Sequence, residues 1–473
     1  MFFLTHPWQS TRRFLGLLVL IFTFGACATA DAGAEEDTQT GPDASTEDTR
    51  APDAAAEDVS PPLVDADFDG GDDDTTNVPD VGEDPDPLDL TQGAWTLENV
   101  SQTEGIISNS PTMAFLPDGS AWIAWAEPNP GLPSDQDIWV AHNKNGAWEV
   151  SPHTVVEGVQ LAFTSLLAVD DTMVLVFSGY PDGDHNVFVS IHDGNSWSEN
   201  QAVAPTEGLP RRRNYSPVIR RSDSGEFAIA YLSEPANAMN YKDGPAQVRV
   251  LRFTDFDEPG QPETVIAAGD ENCLGLDAAF DGSGKLHVVG SCGNPLSPTL
   301  FYATESIGPW TELAPTAGTA GYGSAPSIAL GPDDDIAHIV WVGGAACDGS
   351  TCTTVFYQRI EGGLGTQPVP VSGSPEMREH RPAITIDEDG RVLVVYHRFN
   401  EENRPDMYFT WAGENTGFTA PHNLSAAEPE YRDQAPDSIV FHPETGHPHF
   451  VFYRTFPGTS PLTSEIMLAT WSP

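Results

Sequence analysis

A unit of about 55 residues recurs seven times between residue 110 and the end of the chain, and no other feature constrains the fold as strongly. Each unit opens with a short apolar segment, often introduced by a small residue or Arg and then proline: SPTMAF at 110, SPVIRR at 216, APSIAL at 325, RPAITI at 381 and APDSIV at 435. A turn follows around Asp118-Gly119, Asp170-Asp171, Gly225, Gly284, Asp335, Gly390 and Gly446, and these markers lie 51 to 59 residues apart. A second apolar segment comes next (AWIAW, VLVF, FAIAY, LHVVG, AHIVW, VLVVY, HFVFY). Past a variable loop there is a third (DIWVAH, VFVSIH, QVRVLRF, LFYAT, TVFYQR, MYFTW, IMLATW). Short β-branched and aromatic runs between turn residues argue for strands, and 43 Gly with 41 Pro fit a turn-rich chain. A repeat of this length suits one four-stranded antiparallel blade. The chain is therefore expected to be all-β, with residues 93–473 forming a seven-bladed β-propeller.

The last unit ends at IMLATWSP without a fourth strand, whereas GAWTLENVS at 93–101 precedes the first unit and reads like a fourth strand. The two ends are expected to meet, since an N-terminal strand completing the last blade removes an open sheet edge. Six positions after each marker stand Trp125, Phe177, Tyr231, Gly290, Trp341, Tyr396 and Phe452. This ring is read as packing between neighbouring blades; ligand-stacking platforms are the alternative.

A formal charge of −49, from 21 Lys+Arg against 70 Asp+Glu, excludes nucleic acid as the expected partner, because a duplex binder needs a basic footprint. The acidity is concentrated in residues 28–92, which hold 21 Asp or Glu against one basic residue, Arg50. Such a segment cannot bury enough apolar surface to fold, so it is expected to be a disordered tether with an end-to-end distance of about 45 Å. Asp65, Asp67, Asp69 and Gly70 begin a calcium-loop pattern, but Thr76 stands where the closing Glu belongs, so no calcium site and no cofactor is expected.

Residues 1–27 carry Arg12 and Arg13, the apolar run LGLLVLIFTFG, then Ala26 and Cys27. A charged start, an apolar stretch of about a dozen residues and a small residue before the cut form an export signal. FGAC resembles the lipobox of bacterial lipoproteins, which implies lipidation of Cys27 and a lipid anchor at the outer membrane of a Gram-negative bacterium, facing periplasm or cell surface. TRRFLG also resembles a twin-arginine motif. Four cysteines remain for an oxidising compartment. Cys273 and Cys292 lie symmetrically about the turn at Gly282-Ser283, and Cys347 and Cys352 close the loop CDGSTC, so two disulfides are expected.

The third segments running into NKNGAW at 143, HDGNSW at 192 and ESIGPW at 305 resemble, in weakened form, the Asp-box hairpin S-x-D-x-G-x-x-W of sialidase-type propellers. That resemblance spans about residues 93–473 and implies a propeller in an exported setting. Repeat phase also gathers cations at one end of the ring, the mouth, where first strands begin and second strands end. Arg213, Arg378 and Arg432 stand four residues before a first-strand proline, and Arg398 and Arg454 eight residues after a marker. His380, Arg381, Tyr396, His397 and Tyr431 are close in sequence to them. Five arginines in two structural positions suggest an anion pocket; alternatively Glu376, Glu379, Glu430 and Asp433 pair with them and pin the loops.

Glu127, Glu234, Glu379 and Asp433 are possible catalytic carboxylates, but no spacing selects a pair, and no metal site, phosphate loop or nucleophile elbow is present. Two functions remain: a monomeric, surface-anchored recognition module for a glycan or protein ligand, touching the membrane only through its anchor, and a sialidase-like exo-glycosidase acting on acidic sugars. Replacing Cys27 with Ser is expected to release the protein from membranes, and unchanged partitioning of that variant into detergent would reject the anchor.

Overall fold

Among the described residues every regular element is a β-strand and none is a helix. The computed structural model describes Leu90 and residues 93–473 except the connections 103–106, 130–131, 145, 157–162, 180–185, 205–211, 236–245, 268–271, 295–296, 305–310, 313–324, 332–335, 348–349, 373–377, 414–415, 429 and 457–462. The signal segment, Cys27, the Asp65, Asp67 and Asp69 pattern and nearly all of the 28–92 tether thus lie outside the described residues. Leu90, inside the segment read as tether, is buried in the cluster that contains Trp471.

Units one to four are separate four-stranded antiparallel sheets that begin at Asn109–Phe115, Thr164–Val169, Arg212–Arg221 and Asn272–Phe280. Unit seven contains Arg432–Phe441, Pro448–Phe456 and Thr463–Ser472, and its fourth strand is Ala94–Asn99. The N-terminal strand pairs along its whole length with the last one, from Ala94 opposite Ser472 to Asn99 opposite Met467. The first strands touch one another in chain order and return from Arg432–Phe441 to Asn109–Phe115, so the sheets surround an axis as a β-propeller.

The expected count of seven separate blades needs correction. Five four-stranded blades stand alone, whereas units five and six run together as one nine-stranded sheet. The join is a single parallel pair, Thr353 in Ser350–Glu361 opposite Arg378 in Arg378–Ile386. It is reinforced by the Glu379 carboxylate, which accepts the Val355 N–H at 2.9 Å, and by a 3.2 Å contact between Thr353 Oγ1 and His380 Nε2. These contacts bring two neighbouring edges close enough at one end to pair, which the repeat pattern does not encode.

The core lies between the units. Phe177 of unit two packs with Trp122 and Ile138 of unit one, Tyr231 of unit three with Val174 and Val176 of unit two, and Trp341 of unit five with Val289 and Leu300 of unit four. Tyr396 of unit six lies with Val340 and Val355 of unit five, and Phe452 of unit seven with Val395 and Phe409 of unit six. Trp125 closes the circuit against Val451, Ile466 and Leu468 of unit seven. All six aromatics are buried, which rules them out as ligand platforms and leaves packing as their role.

First strands bend at the mouth. Ser110, Ser216 and Arg381, each just before the first-strand proline, have φ of 49°, 50° and 46°, and strand register slips there. Positive φ at such residues is strained, and it persists where surrounding structure holds it. Cys273 and Cys292 form a disulfide with S–S 2.06 Å and stand directly opposite each other. In the Cys347–Cys352 hairpin, Cys352 faces Ala345 and Cys347 faces Ser350, and the two side chains lie outside the described residues.

Burial pushes His153, His338, His380 and His449 down to about 4. An unfolded chain therefore takes up protons first as pH falls, so this contribution is complete above about pH 6.5 and is lost between about 6.5 and 4, at up to about 3 kcal/mol per imidazole. Glu379, which burial pushes up to about 7, works in the opposite sense: its contribution is present below about pH 4.5 and fades as pH rises through 7. The urea midpoint is expected to fall steadily from pH 7 to pH 4.5; a flat profile would contradict the histidine account. Starting the chain at residue 101 is expected to cost about 3 kcal/mol or more by baring Trp471 and the unit-seven edge, whereas starting it at residue 89 is expected to leave the melting temperature unchanged.

Candidate functional site

At the mouth, alternation along the first strand sends neighbouring residues to opposite faces. In unit six Arg378 is exposed and Glu379 fully buried; in unit seven Arg432 is exposed and Asp433 fully buried. The buried acid faces an arginine on the second strand, Glu379 opposite Arg398 and Asp433 opposite Arg454. The five predicted arginines thus divide by structural position into an outer set, Arg213, Arg378 and Arg432, and an inner set, Arg398 and Arg454.

Arg454 is committed to structure. Its Nε and Nη2 donate to Asp433 Oδ1 and Oδ2 at 2.7 and 2.9 Å, its Nη1 donates to Glu428, and its guanidinium lies 4.7 Å over the Tyr431 ring. Burial alone would lower the Arg454 pKa, but the bonds and charges of Asp433 and Glu428 hold it above the ordinary value. Asp433 Oδ2 also accepts the Ser425 hydroxyl at 2.6 Å, and Ser425 accepts the Met407 N–H, which ties unit seven to unit six.

The Glu379–Arg398 pair is looser. Arg398 Nε stands 3.9 Å from Glu379 Oε1, and the guanidinium lies 5.3 Å over the Tyr408 ring. Burial raises the Glu379 carboxyl to about 7 although the Val355 N–H, Ser372 and Arg398 favour its charge. Glu379 Oε1 and the buried Tyr396 hydroxyl have no hydrogen-bond partner among the described residues. Other units place different pairs at the same register: Ser108 donates to Glu127 at 2.8 Å in unit one, and the disulfide takes this place in unit four.

The outer arginines differ. Arg213 Nη1 lies 3.8 Å from Glu234 Oε1, and the Tyr215 hydroxyl donates to Glu234 Oε2 at 3.4 Å. Burial raises the Glu234 pKa against the pull of Arg213 and Tyr215. Arg378 lies 4.6 Å over the Phe399 ring, and Arg432 contributes its backbone carbonyl to the Thr455 hydroxyl. Neither Arg378 nor Arg432 has a carboxylate within ion-pair distance among the described residues, and neither does exposed Arg381. Of the acids expected to pin the arginines, Glu379 and Asp433 do so, Glu430 is exposed without such a pair, and Glu376 lies outside the described residues.

Glu428 and Tyr408 could not be found from the repeat because they come from a loop and a third strand of variable phase, whereas Glu234 was a candidate carboxylate and its partner Tyr215 stands two residues before the first-strand proline of unit three. Arg454→Met is expected to destabilise the domain by about 3–5 kcal/mol by stranding buried Asp433. Arg432→Met is expected to stay within about 0.5 kcal/mol. Equal urea midpoints for the two variants would refute the division into inner and outer sets.

The sequence matches no family model, and no curated protein matches it. Among solved structures it is similar to an α-L-arabinanase of Penicillium chrysogenum complexed with arabinobiose, at 12% identity and a TM-score of 0.46, covering 80% of this chain and 98% of that one. It is similar to a polysaccharide lyase at 10% identity and TM-score 0.49, covering 79% and 91%. It is also similar to the sialidase of Trypanosoma rangeli at 7% identity and TM-score 0.44, covering 67% of this chain and 59% of that one.

Proposed function

We propose that this chain is a recognition module, held at the surface through a lipid on Cys27 at a Gram-negative outer membrane, that binds a carboxylate-bearing ligand at the propeller mouth. The ligand is an acidic glycan or an acidic protein segment, and no metal or cofactor enters the reading. The observation that carries it is the pair Arg378 and Arg432. They occupy one structural position in neighbouring units, are exposed, and have no carboxylate partner among the described residues although the chain carries a charge of −49. Cations left unpaired amid so many carboxylates suit an external anion, which guanidinium groups bind through two parallel hydrogen bonds. The lipidated Cys27 rests on the lipobox resemblance. We also read the nine-stranded sheet as two blades joined at one edge, because strand pairing is antiparallel everywhere in it except at Thr353–Arg378.

A second reading is a sialidase-like exo-glycosidase. It is favoured by Tyr215 donating to Glu234 with Arg213 alongside, since a tyrosine activated by a carboxylate can act as a glycosidase nucleophile. Against it, Arg398 and Arg454 are engaged by buried carboxylates and do not form a cluster open to substrate.

Calorimetry of the soluble domain with sialic acid, glucuronate and galacturonate oligomers, with hydrolysis followed on the same samples, separates the two. Recognition predicts binding that weakens as salt rises and a loss of about 1–3 kcal/mol in Arg378→Met or Arg432→Met, with melting unchanged and no turnover. Binding indifferent to both substitutions would refute the arginine mouth. Turnover abolished by Tyr215→Phe would establish the enzyme.

A further inference from the structure

On the face opposite the mouth, units five and six enclose a cavity of about 880 Å³. Its origin follows from the joined sheet. The parallel pair at Thr353 and Arg378 draws the two edges together at the mouth, and no further pair follows it. Beyond that point the strands part. The space opens beside the packed rings of Tyr357 and Phe418 and is lined also by Arg359, Val371 and Val392.

We propose that this cavity is a second binding site and that it takes a neutral saccharide of a few rings. The volume lies within the range of small-molecule sites. Its lining combines the rings of Tyr357 and Phe418, which meet edge to face at 5.1 Å, with polar groups that converge from several segments. Arg359 lines the cavity with its side chain 32% exposed; its Nε is shielded, and Nη2 reaches Glu361 at 3.5 Å. A guanidinium carries five N–H donors, so beyond that long contact it retains N–H groups for ligand hydroxyls. His338 shares a 2.7 Å hydrogen bond through Nδ1 with the Tyr357 hydroxyl. With Tyr357 donating, the imidazole is neutral and its Nε2 carries a proton for a second ligand oxygen. Glu388, which has no described partner, offers an acceptor for ligand hydroxyls.

The charge pattern selects against the ligand class proposed for the mouth. Glu388 lines the cavity without a cation partner among the described residues, and Arg359 already faces Glu361, so a carboxylate entering it would meet an uncompensated like charge. Asp389 is already held by Arg391 Nη2 at 2.7 Å. An uncharged polyol with apolar ring faces satisfies donors, acceptors and aromatic walls together. This site does not depend on the mouth reading, because neither Arg378 nor Arg432 lines it, and Ser372, which does, reaches the mouth only through Glu379.

The test uses the folded soluble domain with cellotetraose, xylotetraose and chitotetraose as uncharged probes, followed by saturation-transfer NMR and calorimetry. At least one probe is expected to bind, with affinity lowered about tenfold or more in Arg359→Gln and abolished in Val371→Trp, which fills the cavity. Arg378→Met is expected to leave that binding unchanged. Should Val371→Trp fail to fold, Phe418→Leu removes the ring while keeping an apolar wall, and is expected to weaken binding by a similar factor. Absence of binding by all three probes at millimolar concentration, or binding that survives both Arg359→Gln and loss of the Phe418 ring, would overturn the proposal.

Discussion

A sheet with two apolar faces cannot stand alone in water, and in this protein each sheet is covered only by its neighbours. Tyr231 is buried by valines of the unit before it, Tyr396 by Val340 and Val355, and Trp125 by side chains from the last unit. The burial is circular, so each interface presupposes the next, and a gap anywhere would bare two faces at once. The pairing of Ala94–Asn99 with Thr463–Ser472 therefore does more than finish one sheet. It is the noncovalent lock that joins the two chain ends and lets the interface of Trp125 with Val451 form.

The mouth inherits a requirement from that closure. First strands crowd together there, bend at the prolines and bury the residue three positions earlier, so polar atoms at that depth need partners. The units solve this with different chemistry: hydroxyl and carboxylate in unit one, a disulfide in unit four, carboxylate and guanidinium in units six and seven. The solutions are unequal. Asp433 is fully satisfied by Arg454 and Ser425, whereas Glu379 keeps one oxygen without a hydrogen bond and a proton affinity near neutrality. Since Glu379 also reaches across to Val355, the least satisfied carboxylate lies where two units are joined.

Much of this was legible in the sequence because a repeat measures position. The second and third strands of all seven units, the closing strand and the Cys273–Cys292 pairing follow from phase alone. The arginines were legible in place but not in role: Arg378 and Glu379 are adjacent in the sequence, and period-two alternation sends them to opposite faces, so the exposed member and the buried member could have been distinguished by applying that alternation. The joining of units five and six was not legible, because it depends on one edge contact between Thr353 and Arg378 and on side chains that no repeat frame aligns. The cavity below it was hidden for the same reason, since Arg359, Val371 and Phe418 come from a third strand and two irregular outer segments.

The direction of the closing strand carries a consequence for how the molecule meets its surroundings. Ala94 lies opposite Ser472, at the end of the third strand far from the mouth, and the strand then runs toward the mouth to Asn99. The closing strand thus enters the ring at the end opposite the mouth. Arg378 and Arg432 lie at the end of the ring where that strand finishes, and the Arg359 cavity at the end where it begins. Occupants of the two proposed sites would therefore sit at opposite ends of one ring, and neither would need to displace the other.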